Sequence, residues 1–304
     1  MARTPSTAGL SRAILILCLA ALALGSAASA TAGELLVNPD WLKARLGDDK
    51  VVVLHVGPKE GYDKAHIPGA QLIALADVSE PDTRLMLQMA SVERLRDAFE
   101  QRGISDGTRI VLYQDAEWIS PVARVFVTLD YLGLAEQVSL LDGGLAAWRA
   151  AGHAVTAETT ARPRGRLTVR ANESVLADAA WVSAHLDDSR VRIIDARDSE
   201  FYTGENRGRF PRAGHIRGAV SIPFSTLTDA PHLTFKREAE LRGVFEKAAG
   251  GAERELVVYC HIGQQASHVY LAARLLGYRV RLYDGSFQEW SERTDLPVAT
   301  GPVP

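Results

Sequence analysis

Short apolar runs alternate with longer segments of helical period along most of this chain. Runs rich in Val, Ile and Leu fall at 51–54, 110–113 and 138–141, then at 191–194, 255–259 and 279–283. Each has the length of a strand buried on both faces. Between them lie segments such as "SVERLRDAFEQRG" (91–103) and "SHVYLAARLLG" (267–277), whose apolar residues recur at helical spacing and which close on glycine. Strand alternating with helix predicts an α/β fold, a parallel sheet flanked by helices on both faces. Ligands of such sheets collect at the carboxyl ends of the strands.

The pattern occurs twice. "VVVLHVGPKEGYDKAHIPGAQLIAL" (51–75) is matched by "VRIIDARDSEFYTGENRGRFPRAGHIRGAVSIPF" (191–224), with about nine residues inserted ahead of the second Gly-His-Ile. Each copy then has an apolar run, "RIVLY" and "ELVVY", and ends in Asp-Gly-x-x-x-x-Trp, at 142–148 and 284–290. Two copies of one domain are therefore expected, at 33–152 and 171–304. The stretch 153–170, rich in Thr, Pro, Gly and Arg and without an apolar period, suits a linker. His66 and His215, and Trp148 and Trp290, recur in both copies and read as structural: a hydrogen bond that fixes a turn, and core.

The first thirty residues stand apart. Arg3 and Arg12 precede the apolar stretch 13–25, and "SAASA" (26–30) supplies the small residues of a signal-peptidase site. The apolar core is shorter than the roughly 18 residues of a spanning helix. Residues 1–30 are therefore expected to be a cleaved signal peptide, leaving an exported, periplasmic protein with no stable membrane span. A formal net charge of -3 gives no case for a nucleic-acid or anionic-membrane partner. Of two cysteines, Cys18 leaves with the signal, so the mature chain would carry Cys260 alone. That excludes an intramolecular disulfide, a Cys-x-x-Cys redox pair and a Cys-rich zinc site.

Cys260 ends an apolar run and opens a short Gly/Gln loop. If 256–259 is a strand and 267–277 a helix, residues 261–266 turn the chain so that backbone amides face inward, with Gly263 allowing the close backbone required. Amides aimed at a sulfur lower a thiol pKa and can hold an anion beside it. The site is thus expected to favour a thiolate or persulfide and an anionic substrate, against the alternative of an inert buried cysteine. A phosphatase loop would need an Arg at position 266 to clamp phosphate, and Ala266 stands there.

The loop "CHIGQQAS", the segment "IIDARDSEFYTG…AGHIRGAVSIP" and the closing "DGSFQEWS" resemble the rhodanese family of sulfurtransferases, and the duplication resembles its tandem members, over about 35–298. The resemblance implies two rhodanese-like domains, the second catalytic. Gln114 occupies the position of Cys260 in the first copy, which has no nucleophile. It also implies that Cys260 takes the outer sulfur of thiosulfate, releases sulfite, and passes the sulfur from a persulfide to cyanide or a thiol. The amides of His261, Ile262, Gly263, Gln264, Gln265 and Ala266 would bind substrate. No metal or organic cofactor is required. Small-molecule sulfur donors and acceptors are the expected partners, with a periplasmic protein partner as a further possibility.

Two positions depart from the pattern of thiosulfate-preferring members. His261 and Phe201 stand where arginines are common, so the substrate-binding charge is expected to be reduced, with His261 supplying part of it at mildly acid pH. The loop also lacks the Cys-Gly-x-Gly-Val-Thr of many mercaptopyruvate-using members. An exported persulfide carrier and a mercaptopyruvate sulfurtransferase therefore stay open as alternatives. Asp195 and Arg197 are expected to form an ion pair that fixes the loop, and Trp118, from the first copy, either walls the pocket or packs between domains.

Overall fold

A computed structural model describes residues 34–115, 118–251 and 253–302, which belong to one compact unit. The expected signal segment, with Arg3, Arg12 and Cys18, lies outside the described residues.

The first copy contains strands β1 (Leu36–Val37), β2 (Val51–Val56), β3 (Gln71–Ile73), β4 (Arg109–Gln114) and β5 (Val138–Leu141), with helices α1 (Pro39–Lys43), α2 (Lys59–Lys64), α3 (Val92–Glu100), α4 (Ser120–Tyr131) and α5 (Gly144–Ala150). The second has β6 (Leu176–Ala177), β7 (Val191–Asp195), β8 (His215–Ile216), β9 (Val220–Ser221), β10 (Thr228–Asp229), β11 (Thr234–Phe235), β12 (Glu255–Tyr259), β13 (Val280–Tyr283) and β14 (Val298–Ala299). Its helices are α6 (Ala179–Ala184), α7 (Ser199–Thr203), α8 (Glu238–Ala249), α9 (Gln264–Leu275) and α10 (Ser286–Glu292). Five strands form a parallel sheet in each copy, ordered β1-β5-β4-β2-β3 and β6-β13-β12-β7-β9. The connection 153–170 carries neither helix nor strand beyond a bridge from Thr156 to His66.

Why these runs form strands is visible in their burial. All six residues of β2 are buried, as are the last four of β12, so neither strand has a polar face to alternate. Side chains on the outer face of each sheet form a separate core, around Trp148 in the first copy and Trp290 in the second. The inner faces share one continuous core running from Val52 and Leu112 through α4 and α9 to Val258 and Leu282. The two helices meet there, with the Phe126 and Tyr270 rings 6.5 Å apart.

The duplicated side chains repeat their roles. Nδ1 of His66 lies 2.7 Å from the Tyr62 carbonyl, and Nδ1 of His215 lies 2.7 Å from that of Tyr202, each ring stacked on its tyrosine. The indoles of Trp148 and Trp290 donate to the carbonyls of Ala154 and Pro297, both at 2.9 Å.

Two arms cross between the copies. In the first, a bridge between Ser79 and Met89 closes a loop that reaches the second copy, where the Met89 N–H donates to Asp284 at 2.7 Å and the Met86 N–H to Gln288 at 3.0 Å. In the second, the β10–β11 ribbon reaches back, and the Phe235 N–H donates to Asp142 at 3.0 Å. Each arm seats on the Asp-Gly turn of the other copy.

Candidate active site

Strand β12 delivers Cys260 at its carboxyl end, fully buried, and the chain turns at once into α9. The helix begins at Gln264, earlier than the apolar period from 267 suggests, because Gln264, Gln265 and Ala266 form a first turn with no helical signature of their own. Gly263 precedes it with φ +86°, a left-handed conformation that leaves the helix N-terminus open toward the sulfur. The N–H groups of Ala266, Ile262, Gln265 and Gly263 all point at the Cys260 sulfur. Ile262 and Gly263 of the loop and Gln265 and Ala266 of the first helical turn supply these amides to the site.

Its electrostatics differ from expectation in one respect. Burial pushes the Cys260 thiol up, and the four N–H groups recover only part of that rise. Burial and the amides thus oppose one another at the sulfur, and the amides act fully once negative charge develops there.

The loop rests on the turn that opens α10. The N–H groups of Phe287 and Gln288 donate to the carbonyls of Cys260 and His261 at 2.9 and 3.0 Å, and the Cys260 N–H donates to the Ser286 hydroxyl at 3.2 Å. Beneath the sulfur lies the pair expected from "DAR". Arg197 Nε and Nη2 donate to Asp195 at 2.9 and 2.6 Å, and the Tyr259 hydroxyl donates to the same carboxylate at 2.6 Å. All three are buried, and the guanidinium sits 4.1 Å over the Phe287 ring. Burial opposes the Arg197 charge, but Asp195 more than restores it.

A cavity of about 360 Å³ opens above Cys260, lined by Trp118, Gly208, Arg209, Phe210, Cys260, His261, Ile262, Gln264 and Gln265. Trp118 thus walls the pocket from the first copy, 41% exposed. Asp195 and Arg197 do not line it, Gly263 contributes only its amide, and Ala266 belongs to the core.

His261 does not supply the charge expected of it. Its ring lies edge-on to Phe201 at 4.6 Å and stacked on Phe210 at 5.5 Å; burial, with the Arg197 charge behind it, holds its pKa down at about 4. It is neutral at mildly acid pH. The cation at the mouth is Arg209, which was not singled out from the sequence. It lies in the insertion that only the second copy possesses, together with Gly208 and Phe210, so the insertion itself was the available signal.

In the first copy, Gln114 takes the place of Cys260 and Asp115 that of His261. Asp115 turns back to lie 3.3 Å from the buried His55, which occupies the register position of Asp195, and the arm residues Pro231, His232 and Leu233 line a cavity together with it.

The model of the rhodanese-like domain matches residues 38–151 and 178–293. Among similar proteins, a sulfur carrier protein of Thermus thermophilus is 36% identical over 88% of this chain and 97% of its own length. A provisionally named 3-mercaptopyruvate sulfurtransferase of Pseudomonas aeruginosa is 34% identical over 88% and 98%, and a provisionally named thiosulfate sulfurtransferase of Synechococcus elongatus 31% over 88% and 85%. A solved structure of an anaerobic ergothioneine biosynthesis enzyme from Chlorobium limicola superposes with a TM-score of 0.77 at 25% identity, over 89% of this chain and 71% of that one.

Proposed function

This chain belongs to the tandem rhodanese family of sulfurtransferases, and from that premise we propose that Cys260 is the residue on which sulfur is carried and that thiosulfate is a donor. The Cys260 thiolate attacks the outer sulfur of thiosulfate, the S–S bond of the donor breaks, and sulfite leaves with the bonding pair. A thiophile, cyanide or a thiolate, then attacks the outer sulfur of the persulfide, and Cys260 departs as thiolate. The observation that carries this reading is a buried sulfur faced by four backbone N–H groups at the floor of a cavity with a cation, Arg209, at its mouth. Those amides stabilise thiolate and persulfide alike.

Cavity size favours a second reading beside the first. A space of about 360 Å³ with Trp118 and Phe210 in its walls exceeds what thiosulfate fills, and suits an organic donor or acceptor such as mercaptopyruvate or an alkyl persulfide. Persulfide carriage for a partner protein belongs to the same chemistry with the second step delegated. A donor panel of thiosulfate, mercaptopyruvate, glutathione persulfide and polysulfide separates these, with steady-state thiocyanate formation compared against stoichiometric loading of Cys260. Cys260→Ser is expected to abolish transfer while leaving the fold intact; activity above a few per cent of wild type overturns the assignment. We further propose export with cleavage after Ala30, so that mass spectrometry of periplasmic material finds a start at Thr31.

A further inference from the structure

The cysteine loop lies on the Asp284 turn, and that turn is held by the copy without a cysteine. Arg124, fully buried on α4, places Nη1 2.6 Å from Asp284 Oδ1 and donates Nη2 to the Leu87 carbonyl at 2.5 Å. The other carboxylate oxygen of Asp284 accepts from the Met89 N–H, and its carbonyl from the Gln88 side chain at 3.3 Å. These groups stand directly behind Gly263, one of the residues whose N–H faces the sulfur. A methyl group built there would lie 3.2 Å from Asp284 Oδ1 and 3.3 Å from Arg124 Nη1.

The two copies are unequal here. Asp142, the counterpart of Asp284, accepts from the Phe235 and Gly143 backbone N–H groups, and burial pushes its carboxyl up with no cation beside it among the described residues. Counting from Gln114 and Cys260, the counterpart of Arg124 is Tyr270, whose hydroxyl donates to Asp130 at 2.7 Å. A guanidinium is therefore buried against the Asp-Gly turn only where that turn supports a cysteine.

We infer that Arg124 is a positioning residue for sulfur transfer, supplied by the inactive copy, which neutralises Asp284 behind the loop so that the amide field at Cys260 acts unopposed. An uncompensated carboxylate there would raise the energy of any anion on the sulfur. Arg124 touches neither substrate nor sulfur and acts through Asp284 and Gly263. The inference rests on Cys260 being the sulfur-carrying residue.

The test reads Cys260 directly, as the rate of iodoacetamide alkylation against pH, with the modified peptide identified by mass spectrometry. This reports the environment of the sulfur whether or not the protein turns over, so its failure is distinct from failure of the proposed activity. The other charged and titratable groups around Cys260 are His261, the Asp195–Arg197 pair with Tyr259, and Arg209 at the mouth; all stay in place. Arg124→Gln is expected to slow alkylation at pH 7 by about tenfold and to move the profile to higher pH. Asp284→Asn, which leaves the guanidinium unopposed, is expected to do the reverse. The double variant Arg124→Gln/Asp284→Asn should return to within about threefold of wild type, and Arg124→Lys should remain close to it. Loss of a mere brace would slow alkylation in both single variants and most in the double. That outcome, or an unmoved profile in Arg124→Gln, overturns the inference. Should Arg124→Gln fail to fold, the opposite sign required of Asp284→Asn still decides.

Discussion

Asp195→Asn isolates the ion pair beneath the sulfur. The carboxylate accepts from Arg197 Nε and Nη2, from the Arg197 backbone N–H at 3.0 Å and from the Tyr259 hydroxyl, all of them buried. An amide accepts at one end only, so the variant keeps part of this network and loses the whole counter-charge. Arg197 would retain the Gly214 carbonyl, 2.7 Å away, and the face of Phe287. Removing one partner of a buried pair costs about 3–5 kcal/mol. At roughly 2–4 °C per kcal/mol for a chain of this size, the melting temperature should fall by about 6–20 °C. The double variant Asp195→Leu/Arg197→Met removes both charges and should recover most of that loss, since apolar residues of similar volume replace buried pairs at little cost. The opposite charges of the pair partly cancel at Cys260, although Arg197 still interacts with charge on the sulfur, so turnover in the double variant should fall by no more than about tenfold. Calorimetry and thiocyanate formation on the same samples decide. An unchanged melting temperature in Asp195→Asn refutes the reasoning, and a restored melting temperature with lost turnover assigns the pair to the chemistry.

Arg209→Gln should raise the KM for thiosulfate about two- to tenfold, with kcat less affected and the difference shrinking as salt is added, because the side chain is exposed. Wild-type alkylation should rise about tenfold per pH unit from pH 7 to 8, following the raised thiol, with no step near pH 6.5, because His261 is neutral down to about 4. His268, buried between Phe224 and Phe235 with neither nitrogen hydrogen-bonded among the described residues, has its pKa held at about 3 by burial. Below its ordinary 6.5 the unfolded chain takes up a proton that the folded chain refuses. Stability should therefore fall as pH drops from 6.5 toward 3, by up to roughly 1.4 kcal/mol per unit from this residue, and urea titrations should show a shallower fall in His268→Leu.

How much of this was legible depends on how each feature is written in the chain. β2, β4 and β12 are buried on both faces, and complete burial leaves an unbroken apolar run that needs no context to recognise. Cys260 stood out because it follows such a run, and Trp118 because the repeat places it opposite. The first turn of α9 was missed because Gln264, Gln265 and Ala266 show no period, and only the finished fold shows Gly263 opening the helix. Arg209 sits in an insertion without periodicity, and Arg124 reads as one polar break in an apolar helix until Asp284 is seen beside it. The direction of the His261 and Cys260 shifts follows from depth of burial, which residue types alone do not encode.

A duplicated domain that has lost its nucleophile is ordinarily free to decay or to be deleted. The crossed arms withdraw that freedom here. The first arm holds Asp284 and Gln288 through Met89 and Met86, while Arg84 pairs with Glu292, so the cysteine-bearing half taken alone would lose a wall of its cavity and the support of its turn. Harmful substitutions should therefore be inherited as readily in the silent half as in the reactive one, at residues such as Gln88 or Arg124 that a survey confined to the cysteine domain would pass over. The arrangement also makes the gene indivisible: neither half is a module that recombination can move and leave working.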